Sequence, residues 1–407
     1  MLKNKAFLFY LLGSITSAIG NGMQFIAITW LILELTESSS QVGITLAIGF
    51  IPLMFLSSFG GIVADRYDRR IIMVSFNFFR FLSICIVPFV YWFGELNIFI
   101  IYLMQLLSAI GTAFFVPANA AFVREIMTDE EMYRANALTQ VWIQVGKLSG
   151  AGLGGIFVAW FGSINVVFLN ALTFLIGALL IYKTRKGYIS PYKGHSKNRE
   201  FWGDLNEGFK LIIKQKNLFF YVSLSLLPAI FVYIYNLCVA IFVRNELGKG
   251  ADALGIIEGA YAAGALVLGI VISKHNNWLK NTRVIPVVIF IMAIPFILFS
   301  ISNTVLFAAI SVFLLGAAFQ LGFTMFNTLI QITPPKSFVG RITGFTKSLQ
   351  SLLTFVALIY FGKWLETHSV RIIFSGISAT LVSVGVIILA VYFFSQKQLH
   401  QNKKQNV

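Results

Sequence analysis

Long apolar runs alternate with short polar joints along almost the whole chain, and these runs predict twelve helices able to cross a bilayer. They fall at about residues 6–35, 40–63, 71–93, 97–122, 134–161, 164–184, 217–243, 252–274, 283–300, 304–330, 339–364 and 370–394. A spanning helix needs roughly 20 mainly apolar residues, whereas a spanning barrel strand needs about 10. In lipid the backbone must satisfy its own hydrogen bonds, so runs of this length are helical. One long polar interval divides them into two groups of six. The expected organisation is a bundle over 1–184, a cytoplasmic linker over 185–216, a second bundle over 217–394 and a tail over 395–407. The fold class is therefore an all-α membrane protein with two pseudo-symmetric six-helix bundles.

Within the linker, Phe201, Trp202, Leu205, Phe209, Ile212 and Ile213 recur at helical spacing opposite Asp204, Glu207, Lys210 and Lys214. This pattern predicts an amphipathic interfacial helix that ties the halves together while letting them rock. A weak internal repeat points the same way. Arg134 and Thr139 match Arg341 and Thr346, each pair opening a span after a polar joint.

Composition agrees with the pattern. Mean hydropathy is +0.81 and charged residues make up 12%, against about 25% in soluble proteins. A net charge of +15 would suggest nucleic acid in a soluble chain, but here the positions of the 31 Lys and Arg decide the matter. The odd-numbered joints hold Arg244, Lys249, Lys363 and Arg371, and Arg80, Lys147 and Lys347 lie within spans; the rest fall in even-numbered joints and the tails. This asymmetry places both termini in the cytoplasm and makes membrane lipid, not nucleic acid, the partner of the basic residues. Lys3 and Lys5 precede a run too long for a signal-peptide core, so no cleavage is expected. Cys85 and Cys238 sit within spans, and His195, His275, His368 and His400 fall in joints or the tail. No metal site or disulfide is expected.

Two glycine-rich segments carry more than topology. The joint after the second span reads Gly60-Gly61-Ile62-Val63-Ala64-Asp65-Arg66-Tyr67-Asp68-Arg69-Arg70. Its glycines allow close helix approach, Asp65 can face the positive end of another helix, and Arg66, Arg69 and Arg70 can pair with acids or lipid phosphate. Gly61, Asp65, Arg66, Arg69 and Arg70 would then form a conformational latch, where a plainer role is a positive-inside joint. In the fifth span, Gly146, Gly150, Gly152, Gly154 and Gly155 crowd into ten residues. So many glycines weaken a helix, which implies a packing or hinge role. Gly150, Gly152 and Gly155 also fit a dinucleotide-binding spacing, but no strand precedes them and Leu175 stands where an acid would be needed.

The first joint motif resembles the signature loop of the major facilitator superfamily. Gly20-Asn21-Gly22, Glu34-Leu35-Thr36, Pro117-Ala118, Arg134-Ala135-Asn136-Ala137-Leu138 and Glu207-Gly208-Phe209 resemble its macrolide and siderophore exporter branch. The fifth-span glycines resemble the antiporter motif of its exporters, with Ala151 at a usual proline. The resemblance implies the major facilitator fold, rocker-switch alternating access and a site near the midplane between the halves. It also marks departures. Asn21 and Asn77 stand at frequent acids, and Gln105 lies near the position of a missing fourth-span arginine.

Charges within spans are costly and point to function. Arg80 lies about 15 Å beyond the joint at 1.5 Å per residue, and Lys147 lies at a comparable depth. With Asn21, Asn77 and Gln105 they are candidate substrate or polar-network residues, and Lys347 is a further in-span charge. No ATP-binding P-loop is present, so the proton gradient is the expected energy source and no cofactor is expected. Glu258, two turns into the eighth span, is the leading candidate proton carrier, with Glu34 second. Glu34 lies at a membrane end and could simply be hydrated. No convergent nucleophile, base or metal cluster marks an enzyme.

The leading expectation is a monomeric exporter in a bacterial plasma membrane, ejecting a lipophilic or amphiphilic small molecule, such as a macrolide-like drug, in exchange for protons. A siderophore exporter of the same fold is the alternative within that class. A lipid scramblase or non-transporting membrane sensor is the alternative outside it.

Overall fold

The computed structural model describes residues 4–127, 129–184, 209–274, 282–335 and 338–405, and these are almost wholly helical. In the first half, α1 is Lys5–Thr36, α2 Ser39–Ile48, α3 Phe50–Arg66, α4 Arg69–Phe93, α5 Ile98–Ile126, α6 Asp129–Phe161 and α7 Ser163–Tyr182. In the second, α8 is Lys216–Ile241, continued by a π-helical turn Phe242–Glu246, α9 is Ala251–Lys274, α10 Ile285–Ser300, α11 Val305–Ile332, α12 Val339–Trp364 and α13 Val370–Gln405. The α2 and α3 helices form one crossing bent at Gly49, so these thirteen labelled helices of the described residues make twelve crossings. Eleven are long and apolar enough by length and composition, and α6 adds the shorter stretch Val145–Phe161.

Short polar caps set the crossings apart. Asn4 accepts from the amides of Ala6 and Phe7 at the start of α1, and Asn97 accepts from Ile100 at the start of α5. Asp68 accepts from Arg70 and Ile71 at the start of α4. These side chains occupy the orphan amides of a helix N-terminus. Outer faces carry exposed apolar side chains, such as Phe55, Phe59 and Ile62 on α3 and Val356, Ile359 and Tyr360 on α12. A belt of this kind is stable against lipid rather than water. The Trp202 and Leu205 end of the expected linker helix lies outside the described residues. Residues 209–214 are helical, with Ile212 buried against Leu218, Val222, Ile330 and Ile342. The described part of the linker is therefore packed onto the second half.

Many of the phenylalanines serve packing. Phe242, Phe296, Phe299, Phe319 and Phe374 are fully buried together in the second half, with neighbouring ring centroids 4.5–6.2 Å apart. Arg371 closes the end of this core. Its Nε donates to Glu246 Oε2 at 3.1 Å, Nη1 donates to Ser300 O at 2.6 Å and Nη2 to Ser302 O at 2.8 Å. One side chain thus joins the ends of α8, α10 and α13.

The halves meet along two seams of backbone on backbone. In one, α6 meets α9: a Cβ on Gly155 would lie 2.4 Å from Ala251 O and 2.6 Å from Gly255 Cα. In the other, α2 meets α12: a Cβ on Gly43 would lie 2.5 Å from Leu358 O and 3.1 Å from Gly362 Cα. Three side-chain contacts join the halves on the same side. Ser38 Oγ donates to Glu366 at 2.7 Å, Arg244 pairs with Glu37 at 3.5 Å, and the Phe50 and Tyr233 rings meet edge to face at 4.9 Å. All lie toward the end of the bundle opposite the chain termini.

Two outcomes follow from this packing. Arg371→Ala leaves Glu246 with only the Ser369 hydroxyl as donor and takes the guanidinium from the two carbonyls, and is expected to cost about 2 kcal/mol, read as a lowered thermal midpoint in detergent. Gly155→Leu cannot fit against α9, so a cross-linker that joins Glu37→Cys to Arg244→Cys in the parent should fail in that variant. Gly344→Ala, where a Cβ meets no atom within 4 Å, should leave the cross-link intact.

Candidate functional site

Below the two seams, helix faces that turn away from lipid are open. On α6 a four-residue ridge of Gly146, Gly150 and Gly154 lies against α1. A Cβ at these positions would come within 2.9 Å of Ala18 Cβ, 2.0 Å of Ile19 O and 2.9 Å of Met23 Cα. Gly155 faces α9, and a Cβ on Gly259 of α9 would lie 3.9 Å from Gly152 Cα. The fifth-span glycines therefore divide: Gly146, Gly150 and Gly154 pack within the first half, Gly155 serves the seam between halves, and Gly152 lies beside that seam with no atom within 4 Å of where its Cβ would be. Exposed Trp142, Leu153, Ile156 and Trp160 mark the lipid side of the helix. Lys147 lies on the opposite arc, between the α1 and α9 faces and in line with buried Ala151 and Val158. Its side chain is nonetheless exposed. It opens into the space between the halves, about 12 Å along the helix from Gly155.

The second half mirrors this arrangement. Along α12, Leu358 and Gly362 meet α2, and Gly344, Lys347 and Ser351 continue the same face toward the termini end. Gly344 and Lys347 are exposed there, whereas the lipid side carries Leu352, Val356 and Ile359. On α3, a Cβ on Gly60 would lie 2.4 Å from Ala113 O, but one on Gly61 would meet nothing within 4 Å. The two glycines of the joint motif thus differ: Gly60 sits at a helix contact, and Gly61, expected to share it, borders open space. Exposed Lys147, Gly344 and Lys347, on faces that continue from the seams toward the end that carries the termini, mark the open space between the halves, and this space is the chamber.

Behind the first-half wall lies a polar cluster. Arg80 is buried and its Nη2 donates to Asn21 Oδ1 at 3.2 Å. Its Cζ lies 3.8 Å from the Phe174 ring centroid, a cation–π arrangement. Gly111 makes room for the stem, since a Cβ there would sit 2.5 Å from Arg80 Cγ. Arg80 Nε, both polar atoms of Asn77 and Ser17 Oγ have no hydrogen-bond partner. Beside them Asn170 Nδ2 donates to Gln24 Oε1, and Gln24 Nε2 approaches Met104 Sδ at 3.7 Å. Gln105 is elsewhere, its Nε2 2.8 Å from where a Gly49 Cβ would be, at the α2–α3 bend. Neither Gln24 nor Asn170 stands out by charge or motif. The available signal is a polar amide in the middle of an apolar run.

The two acids have different surroundings. Glu34 is exposed at the end of α1, where it accepts from Ser163 Oγ at 3.0 Å. Glu258 is buried in α9 between Gly255 and Gly259, with Tyr235 and Tyr261 its facing polar neighbours. The two tyrosine rings stack at 5.3 Å. Neither Glu258 Oε1 nor the Tyr235 hydroxyl meets strict hydrogen-bond geometry, and Glu258 has no cationic partner among the described residues.

In the joint motif, Arg69 Nε donates to Ala64 O at 3.1 Å and its Nη1 meets Glu125 at the end of α5. Burial lifts the Glu125 carboxyl above its ordinary range while Arg69 pulls it back. Arg70 donates to Tyr182 O and stacks 4.8 Å above the Tyr182 ring at the end of α7. These partners all lie in the first half. Arg66 is exposed, and the Asp65 side chain lies outside the described residues.

Residues 1–406 match the family described as transmembrane secretion effectors. Macrolide efflux protein A of Streptococcus pyogenes is 21% identical over 355 residues, covering 85% of this chain and 86% of that protein. The multidrug efflux pump Tap of Mycolicibacterium fortuitum is 25% identical over 406 residues, covering 95% of each. The fold matches that of a mutant form of the nucleoside transporter NupG, with TM-score 0.78 at 13% identity over 94% of this chain and 99% of that one. It also matches a bacterial homologue of the human lysosomal transporter Spinster, with TM-score 0.72 at 14% identity over 96% of this chain and 95% of that one. The chain belongs to the transmembrane secretion effector family of the major facilitator superfamily, and is a multi-pass membrane transporter rather than an enzyme.

Proposed function

We propose that this chain is a proton-coupled exporter of a lipophilic or amphiphilic small molecule, working by rocking of its two halves about the glycine seams. The observation that carries the reading is the position of Glu258. It is the buried carboxylate of the described spans, and it lies on α9 beside the glycine face that approaches α6, turned toward Tyr235 of the second half. A buried charge without a partner is costly, and a proton is the neutralising species this site can take. A change of charge at Glu258 therefore acts on α9, the helix that carries one seam, through its packing against Tyr235. The relatives named for macrolide and multidrug efflux support export over uptake.

The basic residues give the transporter its orientation. With the Lys- and Arg-rich joints inside, the open end of the chamber faces the cytoplasm, the side from which an exporter loads. Glu37–Arg244 and Ser38–Glu366 then form the outer gate. Arg69 and Arg70, held within the first half in this state, are placed to change partners when the cytoplasmic end closes, as the latch reading requires.

The test is accumulation of labelled macrolides and lipophilic dyes in cells expressing the parent chain or Glu258→Gln, with and without a protonophore. The expected outcome is lower accumulation of at least one compound with the parent chain, abolished by the protonophore and by Glu258→Gln. Export that survives both treatments removes proton coupling through Glu258. Gradient-independent movement of labelled lipid would support the scramblase alternative instead.

A further inference from the structure

We infer that the chamber selects an amphiphile with an anionic headgroup, held between Lys147 of one half and Lys347 of the other. The inference rests on the export reading and narrows its substrate class. Both lysines sit within spans and on helix faces turned from lipid, yet both are exposed. Neither has an ion pair among the described residues. Among the described side chains no carboxylate shares either face: Lys147 is in line with Ile143, Ala151 and Val158, and Lys347 with Gly344, Ser351 and Leu358. The span acids lie elsewhere, Glu258 packed against Tyr235 and Glu34 at the exposed end of α1 beside Ser163. Buried Arg80 adds a third positive group behind the first-half wall. The chamber therefore presents cations without matching anions.

Such a wall attracts an anion and repels a cation, more strongly than at an open surface because low-dielectric helices surround it. The Phe50 and Tyr233 pair at the roof supplies an apolar contact for the body of the molecule. Gly61 and Gly344, where a Cβ would meet no atom within 4 Å, leave space beneath it. The division of the lysines between halves adds a mechanical consequence. Two like charges on facing walls oppose closure of the open end, and an anion between them removes that opposition. Loading and closure are then linked through the same charge, because a ligand shifts a conformational equilibrium by its differential affinity for the two states.

The test uses three probes that differ only in headgroup: dansyl-tagged undecanoate, its primary amide and the corresponding amine. Binding to the purified full chain in a non-ionic detergent is read by fluorescence anisotropy. The carboxylate should bind at least about tenfold tighter than the amide, and the amine weakest of the three. Lys147→Gln and Lys347→Gln should each weaken the carboxylate by about tenfold, with Lys→Arg restoring it and the amide unchanged. Carboxylate, but not amine, should also slow labelling of Gly344→Cys by a membrane-impermeant maleimide, and Lys347→Gln should abolish that protection. Unchanged thermal midpoints confirm that the variants fold. The inference is overturned if the amine binds as well as the carboxylate, if the Gln variants leave carboxylate affinity unchanged, or if no probe binds. Charge-selective binding without transport in vesicles would instead remove the export reading and leave the selectivity standing.

Discussion

Close backbone approach at two glycine seams is the constraint on which the rest of this structure depends. At Gly155–Gly255 and at Gly43–Gly362 there is no room for a side chain, so at these points the halves touch backbone on backbone, with side-chain contacts such as Ser38–Glu366 and Phe50–Tyr233 beside them. Within the second half, the buried aromatic core around Phe296 and Phe374 and the Arg371 clamp on α8, α10 and α13 brace the helices against one another. Well-packed cores deform little. Two bodies that meet backbone on backbone are the arrangement that a rocker, as proposed above, requires.

Charge placement gives that rocker something to respond to. Glu258 lies in the α9 strip that carries the seam, while Lys147 and Lys347 line the chamber the seam closes. On the proposed reading the acid responds to a proton on α9 and the lysines to a ligand in the space. Arg80, braced by Asn21, Phe174 and Gly111, belongs to the wall of one half. Its depth in the membrane is tolerable because it faces protein rather than lipid.

The sequence makes the twelve crossings legible because span length and apolar character are local properties, set by bilayer thickness. It also marks Gly146–Gly155, Arg80, Lys147 and Glu258, since a glycine cluster or a charge within an apolar run is unusual wherever it packs. It leaves pairing unread. Helical periodicity puts Gly146, Gly150 and Gly154 on one face, but nothing local says that this face meets α1 while Gly155 meets Gly255. Gly43 and Gly362 are isolated glycines whose meaning arises only from each other. The joint motif shows the same limit: its arginines stand out, whereas their partners Glu125 and the Tyr182 carbonyl lie in distant segments, and Asp68 is a cap by virtue of backbone geometry. Lys347 is marked in the sequence as a charge within a span, but not as one whose face is open.

The central claim is that the seams act as a fulcrum between two rigid halves, and paired distance measurements by electron–electron double resonance test it most directly. One spin-label pair would span the seam end, at Ser40 and Asn245, and another the open end, at Ile62 and Ile332, each in membranes at low and high pH. The account predicts reciprocal behaviour, with the open end shortening as the seam end lengthens, and loss of the pH response in Glu258→Gln. Distances at the two ends that change together, or a seam end that stays fixed while the open end moves, would contradict it.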